Sequence, residues 1–368
     1  MFETKRLYLL ARIAPLCSLL AACGHSPGGA SGDGSGGASP GPLTWRFAIE
    51  ETAGSVQDAY AREFERRIEE RTDGAVDVKV YTYGTLGTSD DLTEQLRMGS
   101  LQFAMASPGH LGKSIPELQV FLLHFLFDDD DEVNVAAISD PGFRAVIEPL
   151  FQEKELELMS ILPEGWMVWT ANRPIHAPRD FEGVKIRTMT SPLLLAAYEA
   201  YGASPQAMPY GEVYSALQLN MIDAQVNPVF AIEEMSFYEV SSHMIFARHA
   251  PFVTTCVANQ DFIASLDPER RALVEEVVDG LDDFGSEVRE RFASERLQRI
   301  LEDKPEMIMI ELNEEERAAF RERALPVHEL FLATTGESGK RVLEALQVAL
   351  QSGLGAAQAD GASASPGQ

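Results

Sequence analysis

The sequence predicts an α/β protein that folds into two lobes. Strand and helix patterns alternate from residue 44 to residue 107, and they alternate again from residue 165 to residue 228. The chain has 368 residues, which is more than one ordinary hydrophobic core needs. Hydrophobic residues make up 45% of it and charged residues 24%, a normal balance for a globular protein.

The first lobe is predicted from a strand–helix–strand–helix–strand order. Apolar residues alternate at 44–49, 76–80 and 103–107, which favours strands. They recur every three or four positions at 55–71 and in the segment that ends at Met98, which favours helices. This order implies an open, mostly parallel sheet, in which ligands bind outside the carboxyl ends of the strands.

The second lobe is predicted from a similar alternation. Strands are expected at 167–170, 184–187 and 223–228, and helices at 191–201 and 210–219. Arg187 stands at the end of the middle strand, and the chain runs from there directly into an apolar helix. This is an unusual place for a charged side chain.

The last third of the chain returns to the first lobe and then becomes helical. Residues 252–258 form a β-rich run that we expect to rejoin the first lobe. Residues 266–303 carry one long helical pattern, which either braces both lobes or is a plain packing helix. After them we expect a strand at 306–312, helices at 314–332 and 337–351, and a disordered Gly/Ala/Ser-rich tail at 353–368.

The amino terminus is predicted to be a secretory signal. Basic residues precede an apolar run at 13–22 that is too short to span a bilayer. The run ends in Ala-Ala-Cys23, which is similar to the bacterial lipoprotein box; the alternative is a signal peptide with an incidental cysteine. A Gly/Ser/Pro-rich tether follows at 24–42. We expect a periplasmic or cell-envelope protein held to the membrane only by a lipid on Cys23, with the inner or outer membrane left open.

These patterns give the predicted domain boundaries. They are 1–22 for the lipoprotein signal peptide, 23–43 for the lipidated cysteine and tether, 44–164 plus 253–292 for lobe I, 165–252 plus 293–352 for lobe II, and 353–368 for the tail.

Acidic residues dominate the charge of the chain. Asp and Glu number 57 and Lys and Arg 30, so the formal net charge is −27. Such a surface repels nucleic acid phosphates, and we expect no nucleic acid partner. An anionic ligand needs local positive charge to overcome this field.

Motifs for catalysis, cofactors and metals are not found. Gly112-Lys113-Ser114 ends like a phosphate-binding P-loop, but Ser107 stands where that loop needs glycine. The acidic run 128–132 lacks the spacing and central glycine of a calcium loop. Cys256 would be the only cysteine left for pairing, so no disulfide is expected. We expect no enzymatic activity, no cofactor and no metal, and an extracytoplasmic enzyme is the weaker alternative.

Polar residues stand at the carboxyl ends of several predicted strands. Glu50 and Glu51 follow the first strand, Ser107 ends the third, and Arg187 ends a strand of the second lobe. We expect these side chains to meet at a ligand site. His110, just after the Ser107 loop, is either a ligand contact or an ordinary loop residue.

Six stretches resemble the DctP-type solute-binding proteins of tripartite ATP-independent periplasmic (TRAP) transporters. Each is weakly specific alone, but all six occur in the family's order, and the likeness covers about residues 44–350. They are 71–74 (RTDG), 84–87 (GTLG), 181–187 (FEGVKIR), 201–205 (YGASP), 211–218 (GEVYSALQ) and 223–228 (DAQVNP).

The resemblance implies a two-lobed clamp, like other periplasmic binding proteins, that closes on a small organic acid in a cleft between the lobes. The family's signature arginine, which pairs with the ligand carboxylate, corresponds to Arg187, and its ligand-binding asparagine to Asn227. The chain departs from the family at Ala224 and Val226, in a segment that usually reads Asp-Gly-x-Glu-Asn-Pro. Sialic acid binders carry a second arginine where this chain has Met167, which argues against sialic acid.

The likeness is closer to the ectoine-binding branch of the family. In that branch a glutamate at the end of the first strand meets the ligand's cationic side, so Glu50 or Glu51 takes that role here. The shared stretches are 45–51 (WRFAIEE), 163–165 (PEG), 185–194 (KIRTMTSPLL) and 209–212 (PYGE).

Aromatic rings line the pocket in the ectoine-binding branch. Tyr210 stands where that branch has tryptophan, His110 stands where it has phenylalanine, and Phe252 is retained. These exchanges imply a more polar pocket. Trp169 is either a further pocket ring or a residue of the core.

The expected function is therefore that of an extracytoplasmic solute-binding subunit. It would capture a small organic carboxylate, with an ectoine-like zwitterion as one candidate, and deliver it to TRAP membrane permease subunits. A binding protein that reports ligand occupancy to a membrane receptor is the main alternative. The sequence leaves the ligand's identity and the oligomeric state open.

Overall fold

The computed structural model describes residues 42–363, and the side chains of residues 42–355. The predicted signal peptide, the lipidated Cys23 and the tether up to residue 41 lie outside the described residues, as do the last five residues of the predicted tail. Within the described part of the chain, no helix is both long and apolar enough to cross a bilayer.

Ten strands occur in residues 42–363. They are β1 Leu43–Ala48, β2 Val76–Tyr81, β3 Phe103–Ala106, β4 Leu156–Ala171, β5 Lys185–Thr188, β6 Ser204–Ala207, β7 Ala224–Pro228, β8 His243–Phe246, β9 Pro251–Asn259 and β10 Ile308–Glu311.

Twelve α-helices and four short 3-10 helices occur in the same range. The α-helices are α1 Val56–Arg71, α2 Ser89–Arg97, α3 Pro108–Leu111, α4 Asp131–Ile138, α5 Pro141–Gln152, α6 Pro192–Ala200, α7 Val213–Gln218, α8 Val229–Glu234, α9 Gln260–Ser265, α10 Pro268–Asp279, α11 Leu281–Asp303 and α12 Glu314–Ser363. The 3-10 helices are Pro116–Leu122, Pro178–Phe181, Tyr210–Glu212 and Phe237–Val240.

The strands form two sheets that share the long strand β4. The first sheet has the order β2-β1-β3-β9-β4, with β1 parallel to both neighbours and β9 antiparallel to β3 and β4. The second has the order β4-β7-β5-β6, and β8 joins β4 to β10. Strand β4 pairs with β9 up to Trp166 and with β7 from Met167 onward, so it passes from one sheet to the other. The predicted two-lobed α/β fold is confirmed, including the return of the chain to the first sheet through β9.

Helix α1 shows how the first lobe forms its core. The hydroxyl of Ser55 caps the helix by accepting a hydrogen bond from the Asp58 N–H group. Positions such as Phe64 and Ile68 then fall on one buried face. The ring of Phe64 packs against Phe47 of β1, with ring centroids 5.3 Å apart. This packing fixes the sheet whose strand ends carry Glu50, Glu51 and Ser107.

The single helix predicted at 266–303 is two helices in the structure. Helix α10 ends at Asp279 and α11 begins at Leu281. Gly280 between them is the C-cap of α10, and its N–H group donates to the Glu276 carbonyl oxygen at 3.1 Å. Glycine weakens a helix interior, and here Arg67 also donates to the Gly280 carbonyl oxygen at 2.7 Å. Helix α11 still packs on α1 in the first lobe and on α8 after β7 in the second, so a long helix braces both lobes.

Helix α12 contains the two predicted carboxyl-terminal helices, with a kink at Gly336. Phe320 before the kink is buried in the core of the second lobe, and Leu346 after it is buried in the core of the first. The helix continues to Ser363. The prediction that the tail is disordered is therefore wrong for residues 353–363. The segment is rich in alanine, the strongest helix former, and the helix propensity of its alanines outweighs the unfavourable propensity of its glycines.

Candidate functional site

A cavity lies where the strand ends of both sheets face each other. It encloses about 390 Å³ of space, counting its opening to solvent, which suits a small solute. Eight of the nine predicted ligand-binding residues line it, together with three that the sequence analysis did not select. The lining residues are Glu50, Glu51, Ser89, Ser107, His110, Arg187, Met189, Tyr210, Asn227, Ala231 and Phe252.

Among residues 42–355, Arg187 is the only arginine or lysine that lines this cavity. It lies on β5 between Gln225 of β7 and Gln206 of β6, and it is 2% exposed. Its Nε and Nη2 atoms donate to the carbonyl oxygen of Met208 at 3.1 and 3.0 Å. Among residues 42–355, no carboxylate oxygen lies within 4.0 Å of the guanidinium.

Burial lowers the pKa of Arg187 to about 10, and the nearby Tyr210 and Tyr83 hydroxyls only partly offset this effect. The side chain therefore stays charged at neutral pH without an anionic partner. A buried cation is costly until an anion enters, which makes this position suited to an anionic ligand.

Asn227 faces the cavity from the end of β7. Its side-chain amide donates to Gln225, whose own amide donates to Thr170 Oγ1 at 3.0 Å. Ser241 donates to the same hydroxyl at 3.1 Å. This chain of hydrogen bonds holds the Asn227 carboxamide in a fixed orientation beside Arg187.

Glu50 occupies the opposite side of the cavity at the end of β1. Its Oε2 accepts a hydrogen bond from the Ser107 N–H group at 2.9 Å, while Oε1 is buried without a protein partner. Burial raises the pKa of this carboxyl group, although the neighbouring His110 and Ser107 lower it in part. An unpartnered carboxylate oxygen can accept from a donor or cation on the ligand.

Glu51 also lines the cavity, and near it lie one buried and one half-buried carboxyl group that the sequence analysis missed. We call Glu51, Glu164 and Glu234 the acid cluster. Glu164 Oε1 accepts from the Gln57 amide at 3.1 Å, and Glu234 accepts from the backbone of Thr52 at 3.1 Å. Burial raises the pKa of Glu51 well above its usual range, that of Glu164 to about 8 and that of Glu234 to about 7.

His110 sits in α3 beside the cavity. Its Nδ1 atom lies 3.2 Å from Asp90 Oδ1, and Lys113 donates to the other oxygen of that carboxylate at 2.5 Å. These two partners lower the pKa of Asp90 to about 2, with the hydrogen bond from His110 as the largest cause. The imidazole is thus oriented between Asp90 and Glu50.

Tyr210 and Phe252 supply aromatic walls. The Tyr210 ring packs edge-on against Tyr83, with centroids 5.7 Å apart, and its hydroxyl is buried without a protein partner. The Tyr83 hydroxyl accepts from the Gly211 N–H group at 3.2 Å, so this wall joins the two lobes.

Trp169 lies outside the cavity, which corrects its selection as a ligand-binding residue. It is fully buried among the rings of Phe181, Phe320 and His249. It pairs in register with Val226, the neighbour of Asn227 on β7. Consecutive strand residues point to opposite faces, so Trp169 and Asn227 lie on opposite sides of the sheet.

Among the described residues, no group of three His, Cys, Asp or Glu side chains is placed to hold a metal ion. The cavity can offer a ligand one buried cation, two lining carboxyl groups, an amide, an imidazole and the rings of a tyrosine and a phenylalanine.

Residues 47–335 match the model of a family described as bacterial extracellular solute-binding protein, family 7, or DctP. The chain belongs to this family. It is 41% identical over 308 residues to the ectoine-binding periplasmic protein TeaA of Halomonas elongata, covering 83% of this chain and 90% of TeaA. The ectoine/5-hydroxyectoine-binding periplasmic protein UehA of Ruegeria pomeroyi is 37% identical over the same shares of the two chains.

Solved structures of the family have the same fold. The periplasmic ectoine-binding protein of the Halomonas elongata TRAP transporter superposes with a TM-score of 0.82 at 40% identity, covering 84% of this chain and 99% of that one. An apo, open TRAP periplasmic solute-binding protein from Marinobacter aquaeolei gives 0.78 at 42% identity, covering 83% and 100%.

Membership in the DctP family confirms several predictions. This DctP-type protein is a periplasmic TRAP solute-binding protein, not an enzyme. Proteins of this type bind small ligands and work with membrane permease subunits.

Proposed function

We propose that this protein captures a small organic carboxylate in the cavity and delivers it to a TRAP permease, with Arg187 as the carboxylate clamp. The observation that carries the proposal is the buried guanidinium of Arg187, which bonds one carbonyl oxygen and no carboxylate. A guanidinium offers parallel donors that match the two oxygens of a carboxylate. The ligand would supply the negative charge that this position lacks.

The same cavity favours a ligand with a positive end. Glu50 and Glu51 line the side away from Arg187, and Glu50 Oε1 is free to accept. Asn227 would add a hydrogen bond, and Tyr210 and Phe252 would cover the apolar part of the ligand. We therefore propose an ectoine-like zwitterion, and the two named relatives are described as ectoine-binding proteins.

Capture would proceed by closure of the two lobes. The proposed lobe boundaries lie at residues 164/165, 252/253 and 292/293, and the passage of β4 between the sheets next to Trp166 supports the first of them. A ligand drives closure only through contacts that differ between the open and closed states. Arg187 belongs to the second lobe and Glu50 to the first, so a ligand that bridges them favours the closed state.

A lipid on Cys23 is proposed as the membrane anchor. The support is the sequence Ala-Ala-Cys at the end of an apolar run, followed by a flexible tether. Mass spectrometry of the mature protein should find a diacylglycerol-modified Cys23 at its amino terminus. An unmodified terminus elsewhere would contradict the anchor and leave the binding function untouched.

Thermal unfolding with a panel of small acids tests the proposed ligand class. Ectoine, hydroxyectoine, succinate and galactonate would each be added to the purified protein, to Arg187→Ala and to Arg179→Ala. Arg179 is a matched control because its side chain is exposed and makes a single long ion pair, 3.9 Å from Asp180. A ligand at about a hundred times its Kd adds roughly 2.7 kcal/mol to the free energy of unfolding.

The expected result is a rise in melting temperature with a zwitterion for the wild type and Arg179→Ala, but not for Arg187→Ala. An equal rise in Arg187→Ala would show that the arginine is structural. A response to succinate alone would contradict the zwitterionic class while retaining the carboxylate clamp.

A further inference from the structure

Two carboxyl groups of the acid cluster, Glu51 and Glu164, are bound to the same residue. Glu51 follows β1 and Glu164 lies on β4, and both carboxyl groups accept hydrogen bonds from Gln57. Glu51 is 5% exposed and Glu164 2% exposed. Gln57 holds the pair in place, because its backbone N–H donates to Glu51 at 3.4 Å and its side chain to Glu164 at 3.1 Å.

Such a pair retains a proton. Two neighbouring carboxylates bound to one residue repel each other, and burial disfavours the charged form of both, so the pair retains one proton. The second Glu164 oxygen is buried without any partner, which leaves no other donor to stabilise a dianionic pair. Within residues 42–355, no Lys, Arg or His nitrogen lies within 4.0 Å of either carboxyl group.

The groups around the pair do not neutralise it. Glu50 and Glu234 are further acids, and Arg296 approaches Glu234 but forms its ion pair with Glu233. The other titratable neighbours are Tyr210 and His110. The Tyr210 hydroxyl lies among Glu234, Glu51 and Arg187 without a hydrogen-bond partner, and His110 bonds Asp90. A positive group that enters the cavity next to Glu51 would be the missing cation.

We propose that capture of a ligand with a positively charged end releases the proton shared by Glu51 and Glu164 to solvent. This inference rests on the proposed function, because it needs a zwitterion whose carboxylate is held by Arg187. Glu51 lines the cavity and Glu164 lies behind it, so Glu51 meets the ligand and Glu164 sets its protonation. Before capture the proton keeps the pair singly charged, and after capture the ligand's positive charge replaces it.

The shared proton also contributes to selectivity. A zwitterion stabilises the fully ionised pair, so its affinity rises with pH until the pair has lost the proton. A dicarboxylate brings only negative charge and disfavours ionisation of the pair. It would bind without proton release or with proton uptake, so the sign of the proton exchange reports the charge of the ligand.

Calorimetry in two buffers measures the released proton. Ectoine would be titrated into the purified protein at pH 7 in phosphate and in Tris, which take up protons with different heats. The wild type should show a binding enthalpy that differs between the buffers in the direction of proton release. Glu164→Gln should still bind ectoine but lose most of this difference, while the control Glu157→Gln, on the same strand but outside the cavity, should behave as the wild type. Buffer-independent binding in the wild type, proton uptake, or unchanged release in Glu164→Gln would each overturn the proposal.

A ligand-free measurement makes the test independent of the choice of ectoine. A carboxyl group whose pKa is raised by folding, as burial does for Glu164 to about 8, stabilises the folded state most at low pH. The free energy of unfolding of the wild type should therefore fall relative to Glu164→Gln between about pH 4.5 and pH 8.

The buried His124 and His249 have lowered pKa values and give the opposite slope, but both proteins contain them, so the difference curve removes them. Parallel curves would show that the pair holds no extra proton and would overturn the proposal. A falling difference with no ectoine binding would support the shared proton and count against the proposed ligand class alone.

Discussion

The buried charge of Arg187 gives this residue two separable effects. In the ligand-free protein the guanidinium is desolvated with only the Met208 carbonyl oxygen as partner, so it should reduce the stability of the fold. With a carboxylate bound, the same desolvation strengthens the ion pair. A position that costs stability when empty and supplies affinity when filled is typical of a binding site rather than of a structural ion pair.

Arg187→Met separates these effects. Methionine fills a similar volume without charge, so the ligand-free protein should be at least as stable as the wild type in urea unfolding. Binding of a carboxylate should weaken by more than about a hundredfold, because truncating one partner of a buried pair costs about 3–5 kcal/mol. A marked loss of stability together with retained affinity would contradict this account.

Tyr210→Phe tests the unpartnered hydroxyl over the cavity. Leaving a buried hydroxyl without a partner costs about 1–3 kcal/mol, so the variant should be slightly more stable than the wild type without ligand. If the hydroxyl bonds the ligand, affinity should fall about five- to tenfold. Tyr214→Phe is the control, because its hydroxyl bonds the surface residue Glu239 and should not change affinity. Higher affinity in Tyr210→Phe would exclude a hydrogen bond from this hydroxyl to the ligand.

At this scale the sequence located residues that stand at strand ends or in family motifs. Glu50, Ser107, Arg187 and Asn227 share one property, because each follows or ends a strand whose carboxyl end opens on the cavity. Glu164 stands in the shared stretch 163–165 but was not selected, because it lies inside the long strand β4 and not at a strand end. Whether Trp169 lies in the cavity or in the core depends on which face of the sheet it occupies. Only the register between β4 and β7 determines that face.

At the scale of elements, β4 is the structural link between the lobes. The strand has an irregular register between Pro163 and Gly165, and Gly165 has φ of +127°. Residues other than glycine rarely adopt this backbone conformation. The shift brings Glu164 to the acid cluster just before the strand passes to the second sheet.

Gly165→Ala should therefore lower the free energy of unfolding by about 1–3 kcal/mol, measured by urea unfolding. Gly355→Ala is the control, because that glycine has an ordinary φ and no atom within 4 Å of an added Cβ, so alanine should be neutral or stabilising in helix α12. Equal effects of the two substitutions would show that the conformation at Gly165 is not required.

The types and order of most elements followed from apolar periodicity, but their ends did not. The pattern at 266–303 continues across Gly280 because the apolar spacing is the same on both sides, whereas the backbone ends one helix and starts another there. The segment 210–219 likewise divides into a 3-10 turn and α7. Local capping and contacts such as that from Arg67 set these breaks, and periodicity does not record them.

At the scale of the whole molecule, the excess of acidic residues predicts a stability that rises with salt. The net charge of −27 causes self-repulsion, and the screening length falls from about 10 Å at 0.1 M to about 3 Å at 1 M salt. Exposed ion pairs such as Arg66–Glu70 would weaken, but such pairs contribute only about 0–1 kcal/mol each.

The urea midpoint should therefore increase as NaCl rises from 0.1 M to 1 M. Sucrose at equal osmolality controls for effects of solute exclusion that do not involve charge. A midpoint that falls with NaCl would show that attractive ion pairs outweigh the repulsion.

The molecule is a clamp of two lobes, braced by α11 and α12, with the cavity between the strand ends. The central claim is that Arg187 forms an ion pair with a ligand carboxylate in this cavity. A crystal structure of the protein with the acid that most raises its melting temperature tests this claim most directly. We predict both carboxylate oxygens within about 2.7–2.9 Å of Arg187 nitrogens and the rest of the ligand between Glu50 and Tyr210. A ligand carboxylate held elsewhere, with Arg187 still bonded only to the Met208 carbonyl oxygen, would contradict it.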